Sequence, residues 1–212
     1  MNDMLSQEEI DALLSGSDTA IPSSKEEIYD FTDIEKDAIG EIGNISMGTA
    51  ATTLSTLLGH KVIITTPRVS IMTMQELTEQ YPIPFVAVDV LYKEGIQGSN
   101  LLIIKTEDVK IITDLMMGGE GVVSEEPLTE LHLSAISEAM NQMVGSSSTS
   151  LSEMFSKKID INPPRAFELD LQTDRKNDIF SDDDERMVRI AFNMNIEGLI
   201  DSEIMQLIPL DF

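Results

Sequence analysis

Residues 32–48, TDIEKDAIGEIGNISMG, and residues 129–145, TELHLSAISEAMNQMVG, decide the fold of this chain. A shift of 97 residues (129 − 32) superimposes the two stretches, and Thr, Glu, Asn and Gly fall on the same residue types. The match continues without a gap to three further pairs, Lys61 with Lys158, Pro67 with Pro164, and Arg68 with Arg165. Agreement at one fixed offset, at polar and glycine positions alike, indicates an internal duplication.

The duplication predicts one domain, residues 31–212, built from two repeats at about 31–120 and 127–212. Farther along, Glu94-Gly95 falls on Glu197-Gly198, so the offset becomes 103 (197 − 94), and an insertion in the acidic run at 182–185 would explain the change. One such unit cannot bury its apolar faces alone, so the two should share a core. We predict an α/β (α+β) fold with pseudo-two-fold symmetry, in which two long helices pack with a mainly antiparallel sheet.

Hydrophobic periodicity and turn residues place the individual elements. The long helices are predicted from Thr32 to Leu58, with Thr32 and Glu35 as a capping box, and from Thr129 to Phe155. Shorter helices are predicted at 74–80 and 107–117. Strands are predicted at 61–66, where Pro67 interrupts the first of them, and at 85–92, 100–105, 158–162, 187–195 and 204–209.

The composition excludes several classes of protein. The chain has 38 acidic and 14 basic residues, a formal net charge of −24 and no cysteine. Such a charge repels nucleic-acid phosphates and anionic lipids, and without cysteine neither a disulfide scaffold nor a thiolate metal site is possible. The N-terminus has no secretory signal, and no apolar run approaches the ~20 residues that span a bilayer. We therefore expect a soluble cytoplasmic protein.

The first 30 residues are predicted to be a binding peptide and its tether. LSQEEIDALL, residues 5–14, is typical of a short amphipathic helix, with a capping box formed by Ser6 and Glu9. A helix this short forms fully only against another surface, and its apolar spacing suits a groove on a partner. Residues 16–30, rich in Ser, Asp and Pro, are predicted to be a flexible linker. Docking of the helix on its own domain is the alternative.

A polar stripe follows each long helix at steps of four, three and four residues, which place its members on one face. The stripes consist of Asp37, Glu41, Asn44 and Gly48 in the first copy and Ser134, Glu138, Asn141 and Gly145 in the second. Apolar residues between them are predicted to face the core, namely Ile34, Ile42, Ile45, Leu131, Met140 and Val144. The stripes themselves should be exposed.

The chemistry of these stripes suggests a contribution to a phosphoryl-transfer site that a partner largely owns. A carboxamide can hold a water molecule for in-line attack on a phosphoryl group, and a carboxylate can grip a cation on the partner. A single Glu-x-x-Asn would be an ordinary solvated face, but Asn is a poor helix former and is present in both copies. The alternative is a divalent metal ion bound by Asp37 and Glu41. Two carboxylates are few ligands for such an ion, and Ser134 stands in place of the aspartate in the second copy. The glycines would allow either close approach of another surface or tight helix packing.

Asp37-x-x-x-Glu41-x-x-Asn44 and Ser134-x-x-x-Glu138-x-x-Asn141, each with glycine four residues later, resemble the two active-site motifs of CheC-type phosphatases. These enzymes dephosphorylate the chemotaxis response regulator CheY. The resemblance implies that the glutamates pair with a lysine near the phosphoaspartate of CheY and that the asparagines orient the attacking water. Asp37, Ser134 and the two glycines would then be supporting residues, and Mg²⁺ would be held by CheY and no cofactor by this chain.

The N-terminal segment resembles the CheY-phosphate-binding peptide of flagellar switch proteins such as FliM. The residues implied in that contact are Leu5, Ser6, Gln7, Glu8, Glu9, Ile10, Asp11, Leu13 and Leu14. The combination implies a place at the flagellar motor switch in the basal-body C-ring, with FliM and FliG as further partners. A non-catalytic component that binds CheY-phosphate is the alternative. Because switch members of the family carry a further FliN-like domain, we expect the sequence to be a fragment or a shorter relative.

Overall fold

The computed structural model describes residues 31–81, 84–123, 125–169 and 186–210. The predicted N-terminal peptide, the linker at 16–30 and the acidic run at 182–185 lie outside these residues. Within the described ranges, no helix is both long enough and apolar enough to cross a membrane.

The helices of the described residues follow the duplication. They are α1 (Asp33–Leu58), α2 (Met74–Gln80), α3 (Thr106–Met116) and α4 (Glu130–Phe155). The predicted capping box of α1 is confirmed, since the backbone N–H of Thr32 donates to the Glu35 carboxylate at 2.8 Å. At the equivalent place in α4, the N–H of Thr129 donates to Nδ1 of His132 at 3.1 Å. The two long helices therefore begin in the same way, with an imidazole replacing a carboxylate.

One seven-stranded sheet accompanies these helices, and every neighbouring pair in it is antiparallel, which confirms the predicted architecture. The strands are β1 (Val62–Thr73), β2 (Phe85–Glu94), β3 (Gly98–Lys105), β4 (Asp160–Ile161), β5 (Arg165–Leu169), β6 (Arg186–Ile196) and β7 (Ile200–Pro209). Their order is β1-β6-β7-β3-β2, with both β4 and β5 paired to the outer side of β2.

This order makes the two halves exchange strands. The first strand of the first half, β1, pairs with β6, which belongs to the hairpin of the second half. In the same way β5 of the second half pairs with β2 of the first. The two hairpins meet at β3 and β7, where Leu101 lies opposite Leu207. The pseudo-two-fold axis therefore passes between β3 and β7, and each half completes the sheet of the other.

Proline shapes both outer strands, although differently from the prediction. The expectation that Pro67 interrupts its strand is wrong, because β1 runs through it with a bulge between Thr65 and Arg68. An edge strand tolerates proline at a bulge, where no ladder hydrogen bond is lost. In the second half, Pro163 and Pro164 stand in succession and divide the strand into β4 and β5. The sequence predicted the strand at 158–162 as a longer element and missed β5 entirely.

The main core lies between one face of the sheet and the helices α1, α3 and α4. Alternate strand residues such as Val88 and Ile190 point into it, and Met47 and Met140 enter it from the two long helices. A second apolar cluster lies on the opposite face of the sheet, where α2 contributes Leu77. The long helices also contact each other and each packs on the strand that follows it. Their outward faces are consequently held in fixed positions relative to the outer strands.

Three of the six apolar residues predicted to face the core do not. Ile34, Ile45 and Leu131 are exposed, at 81%, 43% and 61%. By contrast, Met140 and Val144 are buried as predicted, and Ile42 is partly buried against the core. The reason is geometric, because residues seven apart on a helix share a face, so Ile34 must lie on the side of Glu41.

A serine near the end of each long helix fastens the helix to the next strand. Ser55 Oγ donates to the carbonyl of Ala51 at 2.8 Å and accepts the N–H of Val62 at 2.9 Å. Ser152 Oγ donates to the carbonyl of Ser148 at 2.7 Å and accepts the N–H of Ile159 at 2.9 Å. All three residues of each set are related by the same offset of 97 (152 − 55), so the duplication extends to single hydrogen bonds.

We expect Ser55→Ala and Ser152→Ala each to lower the free energy of unfolding by about 1 kcal/mol. The substitution removes the acceptor of a strand N–H, and a partly buried donor without a partner is costly. Thr56→Ala is the matched control, since its exposed hydroxyl bonds only within the helix, to the Thr52 carbonyl. Urea denaturation followed by circular dichroism measures the difference. Equal effects of the serine and threonine substitutions would contradict the role of the serines.

Candidate functional site

The two polar stripes lie on the outward faces of α1 and α4. In α1, Asp37, Glu41, Asn44 and Gly48 are all exposed. In α4, Ser134 and Glu138 are exposed, and Asn141 and Gly145 are half-buried. Side chains three residues apart on a helix are neighbours, with about 5–6 Å between Cβ atoms, so each glutamate and its asparagine form one group. Both Glu/Asn pairs are therefore accessible to a partner, as the sequence predicts.

An open depression lies beside each pair. The first has a volume of about 540 Å³ and is lined by Lys36, Asp37, Gly40, Glu41, Asn44, Thr65, Pro67 and Val69. The second has a volume of about 420 Å³ and is lined by Glu130, Leu133, Ser134, Ser137, Glu138, Asn141, Pro163, Pro164, Arg165 and Ala166. Both are bounded by the stripe on one side and by the outer strand with its proline on the other. The duplication therefore produces two equivalent sites.

The outer strands contribute residues that the sequence did not assign to the site. Pro67 and Pro164 occupy equivalent positions, and Val69 and Ala166 follow them in each depression. In the second site the Ala166 N–H donates to Ser137 Oγ at 3.0 Å, which ties β5 to the stripe helix. The repeated prolines were visible in the sequence at the same offset as the glutamates. That shared offset is the signal that could have linked them to the site.

The two sites differ in how the glutamate is held. Glu138 accepts a hydrogen bond from Nε2 of Gln142, one turn later, at 2.9 Å. The residue one turn after Glu41 is Ile45, whose side chain has no hydrogen to donate. The carboxylate of the second site is thus restrained along its own helix by a contact that the first site lacks.

The nearby charges differ as well. Asp37 and Lys36 line the first site, whereas Ser134 and Arg165 stand in the second. Arg68, the equivalent of Arg165, is ion-paired with Glu203 on β7. Each site therefore combines its glutamate with a different set of neighbouring charges, although the Glu/Asn pair itself is the same.

The space around Gly48 and Gly145 decides between the two interpretations of these glycines. A Cβ atom added to either one would meet no other atom within 4 Å. Tight packing of the two helices therefore does not require glycine at these positions. Gly43, on the buried face of α1, is different, since a Cβ there would lie 3.0 Å from the Phe192 ring. The open glycines leave room for another molecule to approach the helix backbone.

The histidines and carboxylates of the described residues show no metal-binding arrangement. No cluster of three or more such side chains is placed to hold an ion in the ranges that the structure covers. His132 caps α4, and Asp114 accepts the backbone N–H of Gly121 at 2.8 Å in the turn after α3. Each stripe offers the carboxylate and the carboxamide of its Glu/Asn pair, and the first stripe adds the carboxylate of Asp37.

Comparison with known proteins places the duplication in a family. The model of the CheC-like family matches residues 34–71 and again residues 131–168, which contain the two stripes. The chain is 51% identical over all 212 residues to the flagellar motor switch phosphatase FliY of Bacillus subtilis strain 168. It spans 56% of the length of that curated relative. The predicted resemblance to the CheC family is confirmed.

Solved structures give the same result for the fold. A crystal structure of Thermotoga maritima FliY is 43% identical, with a TM-score of 0.79, and the match covers 86% of this chain and 93% of that one. The chain in a FliG–FliM complex from H. pylori is 15% identical, with a TM-score of 0.69, and the match covers 85% of this chain and 95% of that one. This second likeness concerns the fold alone.

We expect Gly48→Ala and Gly145→Ala each to raise the free energy of unfolding by about 0.5–1 kcal/mol, because alanine is the better helix former and its Cβ meets open space. Gly43→Ala gains the same helix propensity but pushes against the fully buried Phe192, so we expect a net loss of stability. Denaturation curves of the three variants provide the measurement. A loss of stability in the first two would show that the glycines serve packing.

Proposed function

We propose that this chain, which belongs to the CheC-like family, hydrolyses the aspartyl-phosphate of a response regulator of the CheY type. The observation that carries the proposal is the presence of two solvent-accessible Glu/Asn pairs, at equivalent positions and each beside an open depression. The name of the B. subtilis relative, a flagellar motor switch phosphatase, supports a phosphatase activity.

In the proposed reaction, the regulator supplies the phosphoaspartate and its bound Mg²⁺. The carboxylate of Glu41 or Glu138 pairs with a lysine beside the phosphoryl group and so fixes the orientation of the two proteins. The carboxamide of Asn44 or Asn141 holds a water molecule in line with the bond between phosphorus and the aspartate oxygen.

Attack by that water forms a new P–O bond and breaks the bond to aspartate. Inorganic phosphate is released with the protons of the water, and the regulator regains its free carboxylate. The helix contributes no nucleophile, only the position of the water and of the regulator's lysine, which is why one carboxylate and one amide suffice.

Asp37 and Ser134 are proposed to support the contact with the regulator from one turn before each glutamate. Gly48 and Gly145 are proposed to admit its surface to the helix backbone, where the structure has open space. The proposed place of action is the cytoplasmic flagellar motor switch, with FliM and FliG as further partners. Homology to FliY supports this assignment.

A non-catalytic switch component that binds the phosphorylated regulator is the second candidate. The FliM-like fold is compatible with it, since the chain shares that architecture at 15% identity. The two intact Glu/Asn pairs favour the phosphatase, because a component that only binds has no need for a water-positioning amide in both copies. Loss of hydrolysis with retained binding separates the two candidates.

The double substitution Asn44→Ala/Asn141→Ala is expected to reduce the acceleration of CheY-phosphate hydrolysis by at least about 100-fold, since the attacking water is then no longer positioned. Each single variant should retain activity through its intact site. Release of inorganic phosphate from phosphorylated CheY in the presence of Mg²⁺ measures the effect, and the same reaction without this chain gives the intrinsic rate.

Gln75→Ala is the control for that experiment. Gln75 also presents a carboxamide on an exposed helix, but it lies on α2, which packs on the opposite face of the sheet. Its hydrogen bond to Glu79 resembles the one between Gln142 and Glu138. Full activity in the Asn double variant would refute the mechanism, and equal losses in Gln75→Ala would show an unspecific effect.

Deletion of residues 1–15 is expected to raise the KM for CheY-phosphate and to leave kcat unchanged. A tethered binding peptide acts by raising the local concentration of substrate near the helices, which matters only below saturation. Replacement of all four apolar residues of the peptide by serine in the full chain should raise the KM in the same way; these residues are Leu5, Ile10, Leu13 and Leu14. An unchanged KM in both variants would exclude the tether.

A further inference from the structure

Each stripe begins with a large apolar side chain that is exposed to solvent. Ile34 is 81% exposed and Leu131 is 61% exposed, and both are the second residue of their helix. Their positions differ by the same 97 residues (131 − 34) that relate the Glu/Asn pairs. Single exposed apolar residues are common on protein surfaces, but the same exposure at equivalent places in both copies calls for a shared cause.

The helical repeat places these residues on the faces of the catalytic pairs. Ile34 precedes Glu41 by seven residues and Gly48 by fourteen, and Leu131 has the same spacing to Glu138 and Gly145. Seven residues are almost two full turns, so the three members of each set lie in one line, about 21 Å long. The apolar side chain forms one end of that line, the open glycine the other, and the glutamate the centre.

Neither residue has a task within its own helix end. A hydrophobic staple joins the residue before the N-cap to the fourth helical residue, whereas Ile34 and Leu131 are at the second. Helix propensity does not select them either, since Ile is an average helix former and polar residues such as Glu or Lys equal Leu in propensity. Local stability therefore does not explain a large aliphatic side chain at this position in both helices.

We propose that Ile34 and Leu131 are apolar anchors that dock the phosphorylated regulator on each stripe, an inference that rests on the proposed function. Acidic residues stand next to both anchors, with Asp33 and Glu35 on the two sides of Ile34 and Glu130 before Leu131, which is followed by His132. The surface of the regulator that would match each anchor is an apolar patch with a basic rim. It should lie about 10 Å from the phosphoaspartate, because seven helical residues, the separation of each anchor from its glutamate, span that distance. Continuity with the Glu/Asn face and this charge pattern select the regulator as the occupant.

The anchors contribute binding that is the same before and during the reaction. Burial of an aliphatic side chain in a partner strengthens the complex, but nothing in that contact changes when the P–O bond breaks. The effect of removing them should therefore appear in KM and in the dissociation constant and leave kcat unchanged. Loss of the asparagines has the opposite signature, because it acts on the chemical step.

The experiment compares Ile34→Ser/Leu131→Ser with the wild-type chain. We expect the dissociation constant for CheY activated with beryllofluoride, and the KM for CheY-phosphate, to rise on the order of tenfold with kcat unchanged. Val122→Ser is the matched control, since Val122 is 68% exposed and lies outside both stripes. Ile34→Leu/Leu131→Ile should keep wild-type affinity, because it retains the apolar surface.

Two results would contradict the proposed docking role of Ile34 and Leu131. One is a dissociation constant and KM of the serine double variant within twofold of the wild type; the other is an equal loss in the variant that exchanges Ile and Leu. Thermal melting of each variant verifies that the exposed substitutions leave the fold intact. A wild-type chain without any effect on CheY-phosphate would refute the proposed function and the anchors together, whereas an active wild type with an unaffected serine variant refutes the anchors alone.

Discussion

The pairing of each outer strand with the hairpin of the other half is the constraint on which the rest of the structure depends. β1 completes the sheet beside β6, and β5 completes it beside β2. These strands in turn fix the long helices, because Ser55 and Ser152 hydrogen-bond the C-terminal end of each helix to the backbone at the start of the next strand. The position of each Glu/Asn pair against its proline-lined depression is therefore set by contacts with the opposite half.

This arrangement suits a site that completes the active site of another protein. Such a site needs few groups, but it needs them at fixed positions, since an error of about 1 Å in the place of a water can cost two orders of magnitude in rate. A helix that buries its own Met47, Ala50 and Leu54 in the core presents its outer face with little freedom. Rigid helices with polar outer faces meet this need better than loops would.

The positions that occur in both repeats were predictable from the sequence, whereas features that depend on the assembled sheet were not. A fixed offset identified the Glu/Asn pairs and the capping residues, because the same backbone geometry is needed twice. The effect of Pro67 was predicted wrongly, since its tolerance depends on β1 being an edge strand with a bulge, a tertiary fact. β5 was missed because two prolines precede it and hide the continuation of the strand.

Ile34 and Leu131 illustrate a different kind of error. The helical repeat places them on the polar face, whereas their apolar character predicts burial. The rule that apolar residues lie inside is only a tendency, and an aliphatic side chain in line with charged residues is informative for that reason. In this protein the exception lies where we propose that the partner docks.

The strand exchange also determines when the chain can fold during its synthesis. β1 ends at Thr73 and its partner β6 begins at Arg186, so 113 residues (186 − 73) must be added before the pair can form. At about 5–20 residues per second, β1 waits roughly 6–23 s after it is made. In that interval neither side of β1 has its native partner strand, because β6 is its only neighbour in the sheet. Pro67 has no backbone N–H to donate, so it makes this unpaired strand a poor template for pairing with another nascent chain before the native sheet exists.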